Sequence, residues 1–235
     1  MYMKLLIANW KLNMPKLNEW KNFSAPKNVD VIICPPFPYL LQTKEIVFPR
    51  LKLGAQDVFW SEKGPYTGEV SPTMLKECGA EYVIIGHSER RYWLGETDQM
   101  ANRKIISALM NGLQPVLCVG EPESVRKKGF AAAKKFVADQ LAKGLRFVKK
   151  KERVIVAYEP IWAVGTGAPD KPEDSAEMAV FIKSKTGGEM VYGGSITSKN
   201  ARGFFERNEI GGALVGGASL DAEEFQKIAE IAGTA

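Results

Sequence analysis

Two side chains that could move a proton stand directly after short apolar runs. The only histidine of the chain, His87, follows the run at 82–86, and Glu159 follows the run at 154–158. A carboxylate held close to a carbon and shielded from water can take a proton from beside a carbonyl group, while an imidazole polarises the carbonyl oxygen. Each residue also has an ordinary interpretation, because a lone histidine is often a packed or surface residue and a glutamate at a strand end is often a solvated charge.

The residues around His87 favour a neutral imidazole. The segment SERR at 88–91 is a plausible helix start, and the partial positive charge of a helix N-terminus disfavours an imidazolium. A neutral ring there could donate a hydrogen bond to a carbonyl oxygen and later exchange a proton with it. A single histidine also excludes a metal site built on two histidines, and we predict a site with no metal and no cofactor.

Glu159 is followed by apolar residues that could cover it. A proline begins this segment and two glycines end it, as in a loop with a stiff hinge at one end and a loose hinge at the other. We interpret the segment as a lid over the site, and the alternative is a plain surface loop. The predicted lid comprises Pro160, Ile161, Trp162, Ala163, Val164, Gly165, Thr166 and Gly167.

A lysine and two glycine pairs favour a phosphorylated ligand. Lys11 follows the first apolar run, where it could meet phosphate and stabilise negative charge on oxygen, although most lysines are surface charges. The apolar runs at 189–192 and 212–215 are followed by GGS at 193–195 and GGAS at 216–219. Backbone N–H groups after the last two strands of a barrel, and at a helix start, often bind phosphate. We therefore predict a phosphate clamp at these two glycine segments.

Eight short apolar runs recur along the chain and would supply the strands that position these residues. Several are continuous and rich in β-branched residues, which is typical of parallel strands buried on both faces. The predicted strands cover residues 4–8, 29–34, 51–55, 82–85, 115–119, 154–158, 189–192 and 212–215.

Amphipathic stretches between the strands predict helices. Ser71 before Pro72 is a good helix start, residues 130–147 carry apolar side chains at helical spacing, and Asp221 with Glu224 forms a variant capping box. Alternating strands and helices predict a closed (β/α)8 barrel, with a doubly wound open sheet as the main alternative. A barrel would bring the carboxyl ends of all strands to one mouth. The polar residues expected there are Asn9, Lys11, His87, Ser88, Glu89, Glu121, Glu159 and the two glycine segments.

Length and composition favour one folded unit. The 235 residues are 45% hydrophobic and 25% charged, which suits one sizeable core and excludes a disordered chain. No linker-like segment divides the chain, so we expect residues 1–235 to form a single domain. The net charge of +5 suits a small anionic ligand, but the densest basic run, 149–151, is interrupted by Glu152. We interpret that run as a solvated helix end and expect no nucleic-acid partner.

Cysteine usage and hydropathy bear on location. The three cysteines, Cys34, Cys78 and Cys118, are odd in number and form no C-x-x-C pair, which argues against a disulfide framework or a zinc site. The apolar stretch at 5–8 is too short for a signal peptide, and no apolar run approaches the roughly 20 residues that cross a membrane. We expect a soluble, cytoplasmic protein with no membrane partner.

Six sequence blocks resemble the triosephosphate isomerases, in family order over essentially the whole chain. They are NWKLN at 9–13, GHSERR at 86–91, CVGE at 118–121, AYEPIWAVGTG at 157–167, YGGS at 192–195 and LVGGASL at 214–220. The resemblance implies a (β/α)8 TIM barrel and a cofactor-free isomerase of glycolysis and gluconeogenesis. Its substrates would be D-glyceraldehyde 3-phosphate and dihydroxyacetone phosphate, interconverted through an enediol or enediolate.

The resemblance also implies roles for individual residues. Glu159 would be the base and His87 the electrophile that polarises the carbonyl and shuttles protons, while Lys11 and Asn9 would stabilise the intermediate. Gly165, Ser195, Gly216 and Gly217 would hold the phosphate. Ser88, Glu89 and Cys118 would support the site, although Cys118 is equally well explained by core packing.

The same resemblance implies a homodimer in which a loop containing Gln56 and Thr67 interlocks with the partner. The residues alone also favour association, because Phe59, Trp60 and Tyr66 would give such a projecting loop an apolar surface.

The chain departs from the family pattern at Met14-Pro15, and the segments at 16–28 and 168–191 are short for full helices. Two other functions stay open at this point. The chain could be another sugar-phosphate isomerase on the same barrel, or a non-catalytic barrel used as an interaction protein.

Overall fold

Eight parallel strands close into a barrel in the computed structural model, which describes residues 3–49, 51–163 and 169–235. Each strand pairs with the next along the chain, and the last pairs with the first, so the prediction of a (β/α)8 TIM barrel is confirmed and the open sheet is wrong. Each predicted strand end lies within one residue of the observed end. The strands are β1 (Lys4–Asn9), β2 (Val29–Cys34), β3 (Lys52–Ala55), β4 (Tyr82–Ile85), β5 (Gln114–Val119), β6 (Ile155–Tyr158), β7 (Met190–Tyr192) and β8 (Gly212–Val215).

Alternate residues of each strand face two separate apolar layers, which explains why the strands are apolar throughout. On β1, Leu5 and Ile7 belong to the core inside the barrel, whereas Leu6 and Ala8 belong to the larger core between barrel and helices. Successive side chains of a strand point to opposite faces, so every strand except β3 contributes to both layers. The pairing of Ile7 with Leu214 across the closure keeps the inner layer continuous.

Helices surround the barrel, and their starts follow local capping chemistry. The Ser71 hydroxyl accepts the N–H of Met74, as predicted for a helix start before proline. Asp221 accepts the N–H groups of Glu223 and Glu224, but the Glu224 carboxylate bonds Ser198 instead of completing a capping box. The helices are α1 (Leu40–Val47), α2 (Pro72–Glu77), α3 (Ser88–Leu94), α4 (Asp98–Met110), α5 (Glu123–Arg126), α6 (Phe130–Gly144), α7 (Pro172–Thr186), α8 (Ala201–Phe205) and α9 (Ala222–Thr234).

The first connection is shorter than the others. Between β1 and β2 the chain forms only a 3-10 helix, Leu17–Asn22, in place of an α-helix. Trp20 anchors this turn, because its ring packs 5.3 Å from the ring of Trp10 and 5.5 Å from that of Phe225 on α9, measured between centroids. The second short segment, 168–191, nevertheless contains the full 15-residue α7.

None of the helices in the described parts of the chain is both long enough and apolar enough to cross a membrane.

Candidate active site

A cavity of about 210 Å³ opens at the carboxyl ends of the strands. It brings together seven of the predicted site residues from β1, β4, β6, β7 and β8, namely Asn9, Lys11, His87, Glu159, Ser195, Gly216 and Gly217. The walls are completed by Gly193, Gly194, Ile196, Thr197, Leu214 and Ala218. Of the remaining predicted residues, Gly165 lies outside the described residues, as do Val164, Thr166 and Gly167 of the predicted lid.

His87 caps the N-terminus of α3, and this contact defines the proton position on its ring. Its Nδ1 accepts the backbone N–H of Glu89 at 3.3 Å, so Nδ1 carries a lone pair and the proton of the neutral ring lies on Nε2. A proton on Nδ1 would break this bond and place positive charge at a helix N-terminus. Nε2 lies 3.3 Å from Oε1 of Glu159. The capping contact therefore leaves Nε2 as the ring nitrogen that faces Glu159.

Glu159 is almost completely buried, and its two oxygens are held differently. Oε2 accepts the backbone N–H of Ser88 at 3.1 Å. Oε1 accepts no hydrogen bond from any described residue, although His87 is near. A buried carboxylate oxygen without a donor is costly in free energy. The aliphatic part of Glu159 packs on Gly193, where a Cβ would lie 2.6 Å from Cγ of Glu159.

Cys118 lies in the apolar layer inside the barrel and next to Glu159. Burial, and then the charge of the Glu159 carboxylate, raises the pKa of the Cys118 thiol well above its usual range. The thiol therefore stays protonated, and Cys118 combines core packing with contact to the predicted base.

Lys11 is held in an uncommon backbone conformation. Its φ is +50°, a left-handed value that costs free energy for a residue with a Cβ. Asn9 Oδ1 accepts the N–H of Lys11 at 3.0 Å, and Gln56 Nε2 donates to the Lys11 carbonyl at 2.9 Å. The ammonium group pairs with Glu89 at 2.6 Å, and the side chain passes over Gly216, where a Cβ would lie 3.1 Å from Cε of Lys11. These contacts direct the cation toward the second glycine pair.

The two glycine segments form one wall of the cavity. Gly216 caps the 3-10 helix Gly217–Leu220, and a Cβ on Gly217 would meet no atom within 4 Å, so this backbone faces open space. The backbone N–H of Ser195 donates to the carbonyl of Ala163 at 3.2 Å. An anion that binds the Ser195 N–H would therefore have to displace the chain at Ala163.

Glu121 does not line the cavity, contrary to its predicted place at the mouth. Its fully buried carboxylate accepts the hydroxyl of Tyr158 at 3.1 Å and Nε1 of Trp162 at 3.2 Å. The reason is side-chain direction: Glu121 leaves β5 two residues past its end and turns toward the flank of β6.

A buried charge network, which is not among the sequence predictions, supports the site. Nζ of Lys104 on α4 lies 2.7 Å from Asp57 and 2.9 Å from Glu96, and the guanidinium of Arg90 bonds the same two carboxylates. Glu96 also accepts the N–H of Gly86, the residue before His87.

Burial raises the pKa of Asp57 to about 6, against the opposing charge of Lys104. For Glu96, burial acts in the same direction, but Lys104 and Arg90 outweigh it, and the pKa lies below its ordinary value. One sequence signal could have revealed the network, because Lys104 lies on the buried face of α4 with Ala101 and Ala108.

A second cavity, of about 420 Å³, adjoins the first. It shares Asn9, Lys11 and His87 with the first cavity, and its rim carries the exposed side chains of Leu12, Trp93 and Leu94. Gln56 lines this second cavity. Thr67 is exposed in the loop between β3 and α2 and lines neither cavity.

The described residues contain no group of three or more histidine, cysteine, aspartate or glutamate side chains arranged to hold a metal ion.

Sequence comparisons agree with the geometry. A profile of the family described as triosephosphate isomerase matches residues 4–232. The triosephosphate isomerase of Caldanaerobacter subterraneus subsp. tengcongensis is 41% identical over 243 aligned residues, covering 95% of this chain and 97% of the relative. That of Aquifex aeolicus is 40% identical, with 96% and 98% coverage, and that of Carboxydothermus hydrogenoformans is 44% identical, with 85% and 84% coverage. The chain therefore belongs to the triosephosphate isomerase family.

Proposed function

We propose that this chain is a triose-phosphate isomerase that interconverts D-glyceraldehyde 3-phosphate and dihydroxyacetone phosphate without a metal or cofactor. The observation that carries the proposal is the 3.3 Å approach of Glu159 Oε1 to Nε2 of His87, in one cavity with Lys11 and two glycine pairs. A buried carboxylate, an imidazole N–H and a cation are the groups needed to move a proton beside a carbonyl.

In the proposed mechanism, Glu159 takes a proton from one carbon of the substrate and returns it to the neighbouring carbon. His87 donates its Nε2 proton in a hydrogen bond to the carbonyl oxygen and then shuttles protons between the two oxygens of the enediol. Lys11 and Asn9 stabilise the negative charge that develops on oxygen. Because Glu159 now lies against Nε2 of His87, the entering carbonyl must displace the carboxylate, which also accepts the N–H of Ser88.

The substrate phosphate would bind to backbone N–H groups of Gly165, Ser195, Gly216 and Gly217. We propose that the segment from Pro160 to Gly167 acts as a lid over the substrate. Binding of phosphate would exchange the Ser195 bond to Ala163 for a bond to the ligand, which would couple phosphate binding to a movement of this segment. Excluding water would also protect the enediolate from losing its phosphate.

The size of the cavity favours the triose reaction over the isomerisation of a longer sugar phosphate. Its volume of about 210 Å³ is below the range of about 300–1,000 Å³ typical of pockets for drug-sized ligands. A three-carbon phosphate is the better match, and residues 1–235 would act as one catalytic domain.

We further propose a homodimer in the cytoplasm, serving glycolysis and gluconeogenesis and requiring neither nucleic acid nor membrane. The support is the exposure of Leu12, Trp93 and Leu94 around the second cavity, a patch that a partner loop could cover. The loop carrying Thr67 would enter that cavity on the partner. Sedimentation should give a dimer at micromolar concentration, and monomer alone would contradict the assembly.

A single assay tests the activity. Purified protein with a metal chelator present should interconvert the two triose phosphates. Glu159→Asp, which withdraws the carboxylate by one methylene, should lower kcat on the order of 10²- to 10⁴-fold with the fold intact. The matched control is Glu230→Asp on the exposed face of α9, which should retain full activity. An inactive unmodified chain, or an unimpaired Glu159 variant, would contradict the mechanism.

A further inference from the structure

Arg126, the last residue of α5, contacts the chain on both sides of residues 164–168. On one side its guanidinium lies over the ring of Trp162, 5.3 Å from the centroid. On the other side its Nη2 donates to Oδ1 of Asp170 at 3.2 Å and also to the carboxylate of Asp174. One planar cation therefore stacks on an aromatic ring and bonds carboxylates at the same time.

Asp170 is the more constrained partner. It is buried, and its carboxylate accepts the N–H of Lys171 at 2.8 Å and the hydroxyl of Ser175 at 3.4 Å in addition to Arg126. Its own backbone N–H donates to the hydroxyl of Tyr192 at 2.9 Å. Tyr192 ends β7 and is followed directly by Gly193, against which Glu159 packs. Asp170 is thus joined to α5 by its side chain and to the cavity wall by its backbone.

Trp162 is tied to the strand that carries Glu159. Its Nε1 donates to Glu121, which also accepts the hydroxyl of Tyr158, the residue before Glu159. Nη1 of Arg126 lies 3.9 Å from Oε1 of Glu121 and bonds no described residue. The guanidinium therefore lies between Glu121 on one side and the carboxylates of Asp170 and Asp174 on the other.

We propose that Arg126 and Asp170 are positioning residues for the isomerisation. Their pair fixes Trp162 relative to the end of β7 and so holds Pro160, Ile161 and Trp162 where they screen Glu159 from water. The assignment rests on the proposed function. Two features make the pair specific: a lysine cannot stack and form directed bonds to a carboxylate at once, and an asparagine keeps the shape of Asp170 without its charge.

Loss of this positioning has a chemical signature beyond a lower rate. In an enediolate exposed to water, the oxygen's electron pair can form a carbonyl while the carbon–carbon double bond shifts by one carbon. The carbon–oxygen bond to phosphate then breaks, which leaves inorganic phosphate and a three-carbon enol. Isomerisation and elimination share the same enediolate, so the fraction of turnovers that release phosphate reports how well the intermediate is screened.

The test compares Asp170→Asn and Arg126→Lys with the unmodified chain, in isomerisation and in phosphate release. Each variant should lose on the order of 10-fold or more in kcat/KM, and the phosphate released per isomerisation should rise. The double variant should lose no more than the worse single variant, because both changes break one contact. Arg207→Ala is the matched control, since it breaks an exposed ion pair to Glu173 in the first turn of α7, the turn that also contains Asp174.

The outcomes separate the assignment from the proposed function. If both variants keep the kcat/KM and the phosphate release of the active unmodified chain, the positioning role is wrong. It is also wrong if isomerisation and phosphate release fall by the same factor, because that result indicates only less folded protein. Should one variant fail to fold, as judged by circular dichroism, the kcat/KM and phosphate release of the other variant test the positioning role. An inactive unmodified chain would overturn the proposed function, and this assignment with it.

Discussion

The backbone N–H of Ser88 donates a 3.1 Å hydrogen bond to Oε2 of Glu159, so the turn that presents His87 also holds the predicted base. These residues follow β4 and β6, which are separated by β5 in the barrel. The carboxylate therefore reaches past the end of β5 to the start of α3. This contact keeps Glu159 close to His87 through one bond, which an entering ligand can replace.

The close packing of Glu159 on Gly193 predicts the effect of one added methyl group. In Gly193→Ala the Cβ would lie 2.6 Å from Cγ of Glu159, so the carboxylate must shift. A misplacement of about 1 Å at a reacting group can lower the rate on the order of 100-fold, and we expect kcat to fall more than KM changes. Steady-state kinetics checks this.

Gly203→Ala on α8 is the control for that variant, because its Cβ would stand at an ordinary 3.4 Å from Pro172. It should keep wild-type kinetics. Equal kinetics for the two variants would show that Gly193 does not constrain Glu159.

The left-handed backbone at Lys11 predicts that two substitutions there will lower activity alike but differ in their effect on stability. Lys11→Gly and Lys11→Ala both remove the ammonium group, so both should lose most of the isomerase activity. Only glycine relieves the cost of a φ of +50°, and the glycine variant should be more stable than the alanine variant by about 1 kcal/mol. Urea denaturation of the pair measures the difference. If Lys11→Ala were more stable than Lys11→Gly, the backbone at this position would not be strained.

Removal of the buried cation at Lys104 should destabilise the fold. Lys104→Met would leave Asp57 and Glu96 without their most buried partner, and breaking a buried ion pair on one side costs about 3–5 kcal/mol. The control is Lys143→Met, whose exposed pair with Asp139 on α6 should contribute little to stability. Chemical denaturation compares the two variants. Equal losses in the free energy of unfolding would mean that the buried network stabilises the fold no more than a surface ion pair does.

The environment of Asp170 predicts a pH-dependent contribution to stability. Burial raises the pKa of this carboxyl from 3.8 to about 6, with Arg126 opposing the shift and Asp174 and Glu121 adding to it. Between these values the folded chain holds the proton more tightly than the unfolded chain. The free energy of unfolding should therefore fall as the pH rises from about 4 to about 6, with no further loss from this group at higher pH.

Asp170→Asn removes that titration and should flatten the slope of unfolding free energy against pH in the same range. Asp139→Asn, at an exposed carboxylate, is the control. Denaturation at several pH values with the three proteins provides the comparison. Parallel slopes for all three would show that Asp170 has an ordinary pKa in the folded chain.

The pattern of apolar and polar residues was enough to predict the barrel and the strand ends from which the site is built. Continuous apolar runs such as 29–34 predicted strands with one-residue accuracy, because burial on both faces leaves a local pattern. His87 before a helix start and Glu159 before a proline were recognisable because each directly follows such a run. The short segment at 16–28 predicted the missing first helix, although the anchoring of its 3-10 turn by Trp20 required the structure.

Only the tertiary structure decided which side chains meet. Glu121 follows a strand as Glu159 does, yet it turns away from the cavity to bond Tyr158 and Trp162. Lys104 and Arg126 lie on helices outside the barrel and still contact the loops around the site. Such contacts join residues about 45 positions apart in the sequence. They depend on the closure of the barrel and on the direction of each side chain, and a local pattern of polar and apolar residues carries neither.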